Sequence, residues 1–143
     1  MRLYKALRVR EMLIMEELFN KYTEAFNAFE PEAIANLYRL PCAISDADGV
    51  QTFTERTALV AKFALNCESM RNFGYQHAQF TILEQQALGK DKVAAAVGWR
   101  VTVNDSNVDF RTLYICHFVH HKWLVFNANV YQGNFSNTQR NAL

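Results

Sequence analysis

The chain has 143 residues, of which half are hydrophobic and 13% are aromatic, enough apolar material for one domain with a substantial core. Fifteen basic and fourteen acidic residues leave a formal net charge of +1, so the composition gives no basis for non-specific attraction to nucleic acid or to an anionic membrane. No apolar run approaches the roughly eighteen residues of a spanning helix, and the odd set Cys42, Cys67 and Cys116 has neither the number of a disulfide framework nor the spacing of a thiolate metal site.

The first part of the chain predicts two helices. Apolar residues recur three and four positions apart from Met12 to Phe29, the pattern of one buried helix face. Glu30-Pro31 interrupts the pattern, because proline is tolerated in a first helical turn but not inside a helix. A second, short helix then turns Ile34, Leu37 and Tyr38 inward and ends at Pro41. Arg2, Lys5, Arg8 and Arg10 resemble an organellar leader, but the segment lacks serine and continues into the first helix, so we expect a cytoplasmic protein.

A hairpin and a third helix follow. Residues 42–45 and 50–53 are predicted to be short strands around the turn formed by residues 46–49. Thr54 is the expected N-cap of the third helix, which ends before Gly74. Its predicted buried residues are Leu59, Phe63, Cys67 and Met70.

Beyond Gly74 the hydrophobic period changes from 3.6 to two. Turn residues at 89–91, 104–107 and 120–122 divide this part of the chain into four long strands. Helices followed by an antiparallel meander predict an α+β fold with the helices on one face of a curved sheet. We expect a single domain over residues 1–143, with a core at about residues 10–132 and a C-terminal tail at 133–143.

The alternation along these strands assigns residues to the two faces of the sheet. The face toward the helices is predicted to carry an apolar pocket lined by Trp99, Val101, Tyr114, Cys116, Phe118, Phe126 and Ala128. The opposite, mixed face suits a second copy of the chain, so we expect a homodimer through it. Its residues are Leu113, Ile115, Val119, Val125, Arg100, Arg111, His117 and Asn127. A one-residue slip would reverse the faces of Arg100, Asn127 and Asn129.

Residues 22–30 and 33–38, together with residues 44–49, resemble the helix-turn-helix opening and first hairpin of the nuclear transport factor 2-like superfamily. The resemblance implies a cone-shaped half-barrel in which three N-terminal helices pack on a curved, mostly antiparallel sheet, the cystatin-like arrangement. The superfamily includes ketosteroid isomerases, polyketide cyclases and dehydratases, as well as non-catalytic transport and association domains.

In a comparison with ketosteroid isomerase, Tyr22 occupies the position of the tyrosine that donates to the developing oxyanion. Asp46 occupies the position of the catalytic base. The position of the second acidic donor holds Cys116, whose thiol donates weakly. Since one oxyanion donor contributes about 10²–10³ in rate, efficient ketosteroid-type enolisation is not expected. Phe29 also replaces the glycine that is usual at the following turn.

Each candidate also has an ordinary structural interpretation. Tyr22 lies on the buried helix stripe and fits a core tyrosine, and aspartate at a turn such as Asp46 is common without catalysis. His117, His120 and His121 suggest a metal, but strand alternation separates them, so a solvated turn is favoured and no metal or cofactor is expected. Phosphate-loop, serine-hydrolase and metalloprotease motifs are absent from the sequence.

The sequence therefore predicts a dimer that binds a small apolar molecule in a pocket. Cofactor-free isomerisation, dehydration or cyclisation would then use Asp46 as base and Tyr22 as donor. The alternative is a dimeric module that holds a ligand, or associates, without catalysis.

Overall fold

The computed structural model describes residues 2–133, with side chains at residue 10 and at residues 12–131. Three helices precede most of the sheet, in the order α1 Arg2–Asn27, α2 Pro31–Ala35, β1 Tyr38–Asp46, β2 Gly49–Phe53, α3 Arg56–Asn72, β3 Tyr75–Ala87, β4 Lys92–Val103, β5 Ser106–Val119 and β6 Lys122–Gly133. The α+β prediction is confirmed. In the described chain, no helix combines the length and the apolar character needed to cross a membrane.

The six strands form one curved, unclosed sheet in the order β2-β1-β6-β5-β4-β3. Neighbouring strands are antiparallel except β1 and β6, which run parallel. The expected mostly antiparallel sheet is thus observed, and the parallel pair brings the N-terminal hairpin beside the last strand.

The first helix buries one stripe against the sheet, as predicted. Met15, Leu18, Phe19 and Tyr22 are all buried, whereas Met12 is 53% exposed, so the buried stripe begins one turn later than expected. After the helix, Phe29 has a φ of +53°, a left-handed conformation that glycine adopts more readily. Packing holds it there, because its ring lies edge-on to Tyr75 and under the Arg71 guanidinium.

The prediction that Pro41 ends the second helix is wrong. That helix ends at Ala35, and Tyr38 already begins β1, with Pro41 inside the strand. The strand tolerates a proline there because the pairing of β1 with β6 is interrupted between Tyr38 and Ala43, where no amide is needed for the ladder. The assigned cap was also wrong: Glu55, not Thr54, precedes the first turn of α3.

A β-bulge in β6 corrects two face assignments. Ile115 pairs with Asn127 but Cys116 pairs with Val125, so Phe126 is the extra residue. Val125 is consequently fully buried among the core residues, although the alternation placed it outside. Phe126 faces outward, where its ring stacks on His117 at 4.4 Å.

Candidate functional site

A cavity of about 100 Å³ lies between the helices and the concave face of the sheet. Since one water needs roughly 10–15 Å³, the cavity can hold several waters or a small organic molecule. Its walls are mainly aromatic and aliphatic, with a few polar groups. The lining residues are Tyr22, Phe26, Tyr38, Ile44, Asp46, Phe63, Asn66, Met70, Tyr75, Ala78, Trp99, Val101, Phe110, Thr112, Tyr114, Ala128 and Val130.

Three buried phenols form a cluster on one wall. The hydroxyls of Tyr22 and Tyr38 are hydrogen-bonded at 2.7 Å, and the indole Nε1–H of Trp99 donates to the Tyr114 hydroxyl at 3.0 Å. The Tyr22 and Tyr114 hydroxyls also interact. Burial raises the pKa of all three phenols well above the ordinary value, so each keeps its proton at physiological pH.

Thr112 supplies a further hydroxyl to the cavity wall. Its residue is 2% exposed, and its Oγ1 makes no hydrogen bond within the described chain. The group nevertheless lies near enough to Tyr114 to lower the pKa of that phenol, against the larger effect of burial. Buried hydroxyls are seldom left without a partner, because the lost hydration is not replaced.

Asp46 lies at the edge of the cavity and is part of a buried ion pair. Its Oδ2 accepts a hydrogen bond from Lys62 Nζ at 2.9 Å, and both side chains are almost fully buried. Its Oδ1 accepts the backbone N–H of Asp48 at 2.9 Å, which closes the β1–β2 turn. The carboxylate of Asp48 lies 3.6 Å from the same ammonium. Lys62 thus ties the hairpin to α3 and balances the charge of Asp46.

The match to known families decides the classification. Residues 10–132 match the model of a family described as NTF2-like protein (DUF6841). The chain belongs to this NTF2-like family. No curated protein matches it in sequence.

Solved structures share the NTF2-like fold at low sequence identity. A protein of unknown function from Mycobacterium tuberculosis has a TM-score of 0.73 at 13% identity, covering 95% of this chain and 79% of its own. A cystatin-like domain of unknown function from Nostoc punctiforme has a TM-score of 0.69 at 12% identity, covering 87% and 78%. A ketosteroid isomerase-like protein from Erwinia carotovora atroseptica has a TM-score of 0.67 at 13% identity, covering 85% and 95%. These similarities establish the fold.

In this NTF2-like protein, most residues predicted from the sequence lie around one cavity. Those that line it are Tyr22, Asp46, Trp99, Val101, Tyr114 and Ala128. Three others do not. Phe126 is on the opposite face because of the bulge, and Phe118 is 43% exposed and packs on Trp123. Cys116 is fully buried in the core, where burial raises its pKa to about 12 and keeps the thiol protonated.

Three polar residues at or beside the cavity were not singled out from the sequence. Tyr38 was expected to face inward, but as part of a helix, so its hydrogen bond to Tyr22 was not foreseen. Thr112 alternates with Tyr114 on the inner face of β5, a signal that was available. Lys62 lies between the buried positions of α3, where a lysine indicates a buried counter-charge.

The outer face of the sheet carries a second polar cluster. Arg39 Nη1 lies 3.2 Å from His117 Nδ1, and the guanidinium approaches the ring of Phe126. Burial, with Arg39 and Lys92 nearby, lowers the pKa of His117 below its ordinary value, so the imidazole is neutral and accepts from Arg39. His117, His120 and His121 are not part of any metal-binding group found in the described residues.

Proposed function

We propose that this NTF2-like protein binds a small, largely apolar molecule in its cavity. The observation that carries the proposal is an aromatic-walled cavity of about 100 Å³ whose lining includes Thr112, with a buried hydroxyl that makes no hydrogen bond to a described residue. Apolar walls with a few placed polar groups are typical of small-molecule sites. The three free, buried cysteines favour a reducing compartment, and we propose the cytoplasm.

Filling the cavity tests this proposal. Ala128 lines the cavity and is 4% exposed, so Ala128→Val adds two methyl groups to that space. We expect the variant to weaken binding of small cyclic molecules at least about tenfold, because the added volume displaces ligand. Ligand-observed NMR and calorimetry measure the affinity.

The matched control is Ala87→Val, at an exposed position of β3. It should leave affinity unchanged. Wild-type affinity in Ala128→Val, with the variant folded by circular dichroism, would contradict the assignment of the cavity as the site.

A second candidate function is proton-transfer catalysis on the bound molecule. It is favoured because Asp46 lines the same cavity as the phenols of Tyr22 and Tyr38. A carboxylate could take a proton from the ligand while a phenol donates to the oxygen that gains charge. The contacts of Asp46 oppose this, because its Oδ2 already accepts from the buried Lys62 ammonium and its Oδ1 accepts the backbone N–H of Asp48.

Solvent exchange at the α-carbon of an enolisable ketone, followed by NMR in deuterium oxide, separates catalysis from binding. If Asp46 is the base, Asp46→Asn should lower the exchange rate by about 10²–10⁴ while ligand affinity stays within a few-fold. Undiminished exchange in the variant would eliminate this role. A wild-type protein that binds such ketones without exchange would fit the alternative, a non-catalytic binding or association module.

We also propose that the outer face of the sheet joins two copies of the chain. Leu83 and Leu113 are 47% and 37% exposed there, and the neighbouring β4 positions are the small residues Ala94, Ala96 and Gly98. Charged groups, including the Arg100–Asp109 ion pair, lie around this apolar centre. An apolar centre with a polar rim is the usual composition of a protein interface.

A further inference from the structure

The contacts among the three phenols beside the cavity leave at least one phenol proton without an acceptor among them. Each of the three phenols has one proton, and the phenols contact one another in two places, between Tyr22 and Tyr38 and between Tyr22 and Tyr114. Those contacts use at most two of the three phenol protons. Trp99 adds a donor and no acceptor, because an indole N–H only donates. At least one phenol proton therefore has no acceptor in this cluster.

Thr112 contributes an independent second observation. The residue lines the cavity and is 2% exposed, and its buried Oγ1 makes no hydrogen bond to a described residue. A buried polar group without a partner is destabilising. It lies close to the Tyr114 phenol, so one oxygen atom in the cavity could accept from both groups.

The charged residues near the cavity restrict the charge that a ligand can carry. Among the described residues, none of the lysines or arginines lines it, and the nearby ammonium of Lys62 is engaged by Asp46 and Asp48. An anionic ligand would find no free cation and would be repelled by Asp46. A protonated amine has no lone pair, so it could not accept the unused phenol proton or the proton of Thr112.

We infer that the cavity selects a neutral molecule with a carbonyl oxygen, and that Thr112 is a specificity-determining residue that donates a hydrogen bond to that oxygen. This inference rests on the proposed binding function. It differs from the role implied for Tyr22 by resemblance, because it adds the β5 hydroxyl to the recognition of the ligand oxygen.

Four ligands with the same six-membered ring test the inference: cyclohexanone, methylenecyclohexane, cyclohexylammonium and cyclohexanecarboxylate. We expect wild type to bind the ketone about tenfold more tightly than the isosteric hydrocarbon and more tightly than either ion. Thr112→Val keeps the side-chain shape but removes the hydroxyl, so the preference for the ketone should fall several-fold. Binding of the hydrocarbon should stay unchanged, which a general loss of structure would not allow.

Thr112→Ser retains the hydroxyl and should keep the preference, while Thr81→Val, at an exposed position of β3, controls for the threonine-to-valine change. Equal binding of ketone and hydrocarbon by wild type, or a preference for either ion, would overturn the inference and leave the binding function intact. An undiminished ketone preference in Thr112→Val would overturn the role of Thr112. Failure of all four ligands to bind would count against the binding function itself.

Discussion

Lys62 lies in an environment that lysine side chains ordinarily avoid. A lysine that is 6% exposed loses most of its hydration. The carboxylates of Asp46 and Asp48 compensate for that loss only while the lysine and its partners are charged. The pair also fixes the orientation of Asp46, whose second oxygen caps the β1–β2 turn. One contact therefore links the hairpin, α3 and the cavity wall.

Removing this cation should be strongly destabilising. Lys62→Met leaves the Asp46 carboxylate buried without a counter-charge, and we expect a loss of about 3–5 kcal/mol in the free energy of unfolding. The double variant Lys62→Met/Asp46→Asn should lose less, because no buried charge is left unpaired and the Asp48 side chain is 65% exposed. Urea denaturation measures both.

Lys21→Met is the matched control, since Lys21 pairs with Glu17 at 3.4 Å on the exposed face of α1. An exposed pair of this kind contributes about 0–1 kcal/mol. Similar losses for Lys62→Met and Lys21→Met would mean that the buried pair has no special role.

At the level of secondary structure, the sequence predicted those elements whose signal is local. The period-two alternation of β4 placed Val93, Ala95 and Val97 on the buried face, and all three are buried. The bulge at Phe126 could not be predicted in this way, because it is set by pairing with β5, and one extra residue reverses the faces around it. Tyr38 likewise belongs to a strand because β6 lies alongside it.

In the candidate site, too, the features with a local sequence signal were predicted and those set by tertiary packing were not. Tyr22 and Asp46 were predicted to share a cavity, and the helix stripe and the hairpin turn do bring both to its wall. The ion pair with Lys62 was not predicted, because it joins residues from two elements whose packing angle the sequence does not encode locally. Hydrogen bonds among the phenols depend on the same tertiary placement.

The connection from α3 to β3 depends on Gly74. Its φ is +84°, and a Cβ at this position would lie 2.0 Å from Asn104 Oδ1. Asn104 has little freedom to move, because its side-chain amide donates to the Phe73 carbonyl and its backbone N–H donates to the Gly74 carbonyl. We expect Gly74→Ala to lower the free energy of unfolding by more than about 2 kcal/mol.

Substituting Gly89 distinguishes backbone strain from the steric clash with Asn104 as the cause of this loss. It has a φ of +93°, but a Cβ at this position would meet no atom within 4 Å, so Gly89→Ala should cost only the backbone strain, about 1 kcal/mol. Asn104→Ala added to Gly74→Ala should recover part of the loss by making space. Thermal denaturation that ranks Gly89→Ala as equal to Gly74→Ala would exclude the steric explanation.

For the whole molecule, the two faces of the sheet are chemically different. The concave face is covered by helices and encloses the cavity, while the outer face is left with exposed leucines beside the small residues of β4. Leu83 lies directly over Gly98, since a Cβ on that glycine would meet it at 3.3 Å. Such an exposed apolar surface favours association, because two copies would remove it from water.

If two copies associate through this surface, a charge at its centre should separate them. Leu113→Arg places a guanidinium where the partner would bury it without a counter-charge, and we expect monomers in sedimentation or light-scattering measurements. Leu65→Arg, on α3 at a position that is 67% exposed, adds the same charge away from the sheet and should leave the dimer intact. Because Leu113 is outside the core, its variant should remain folded, with cavity-ligand affinity close to wild type. A wild-type monomer would rule out the dimer, and a dimer that persists in Leu113→Arg would place the interface elsewhere.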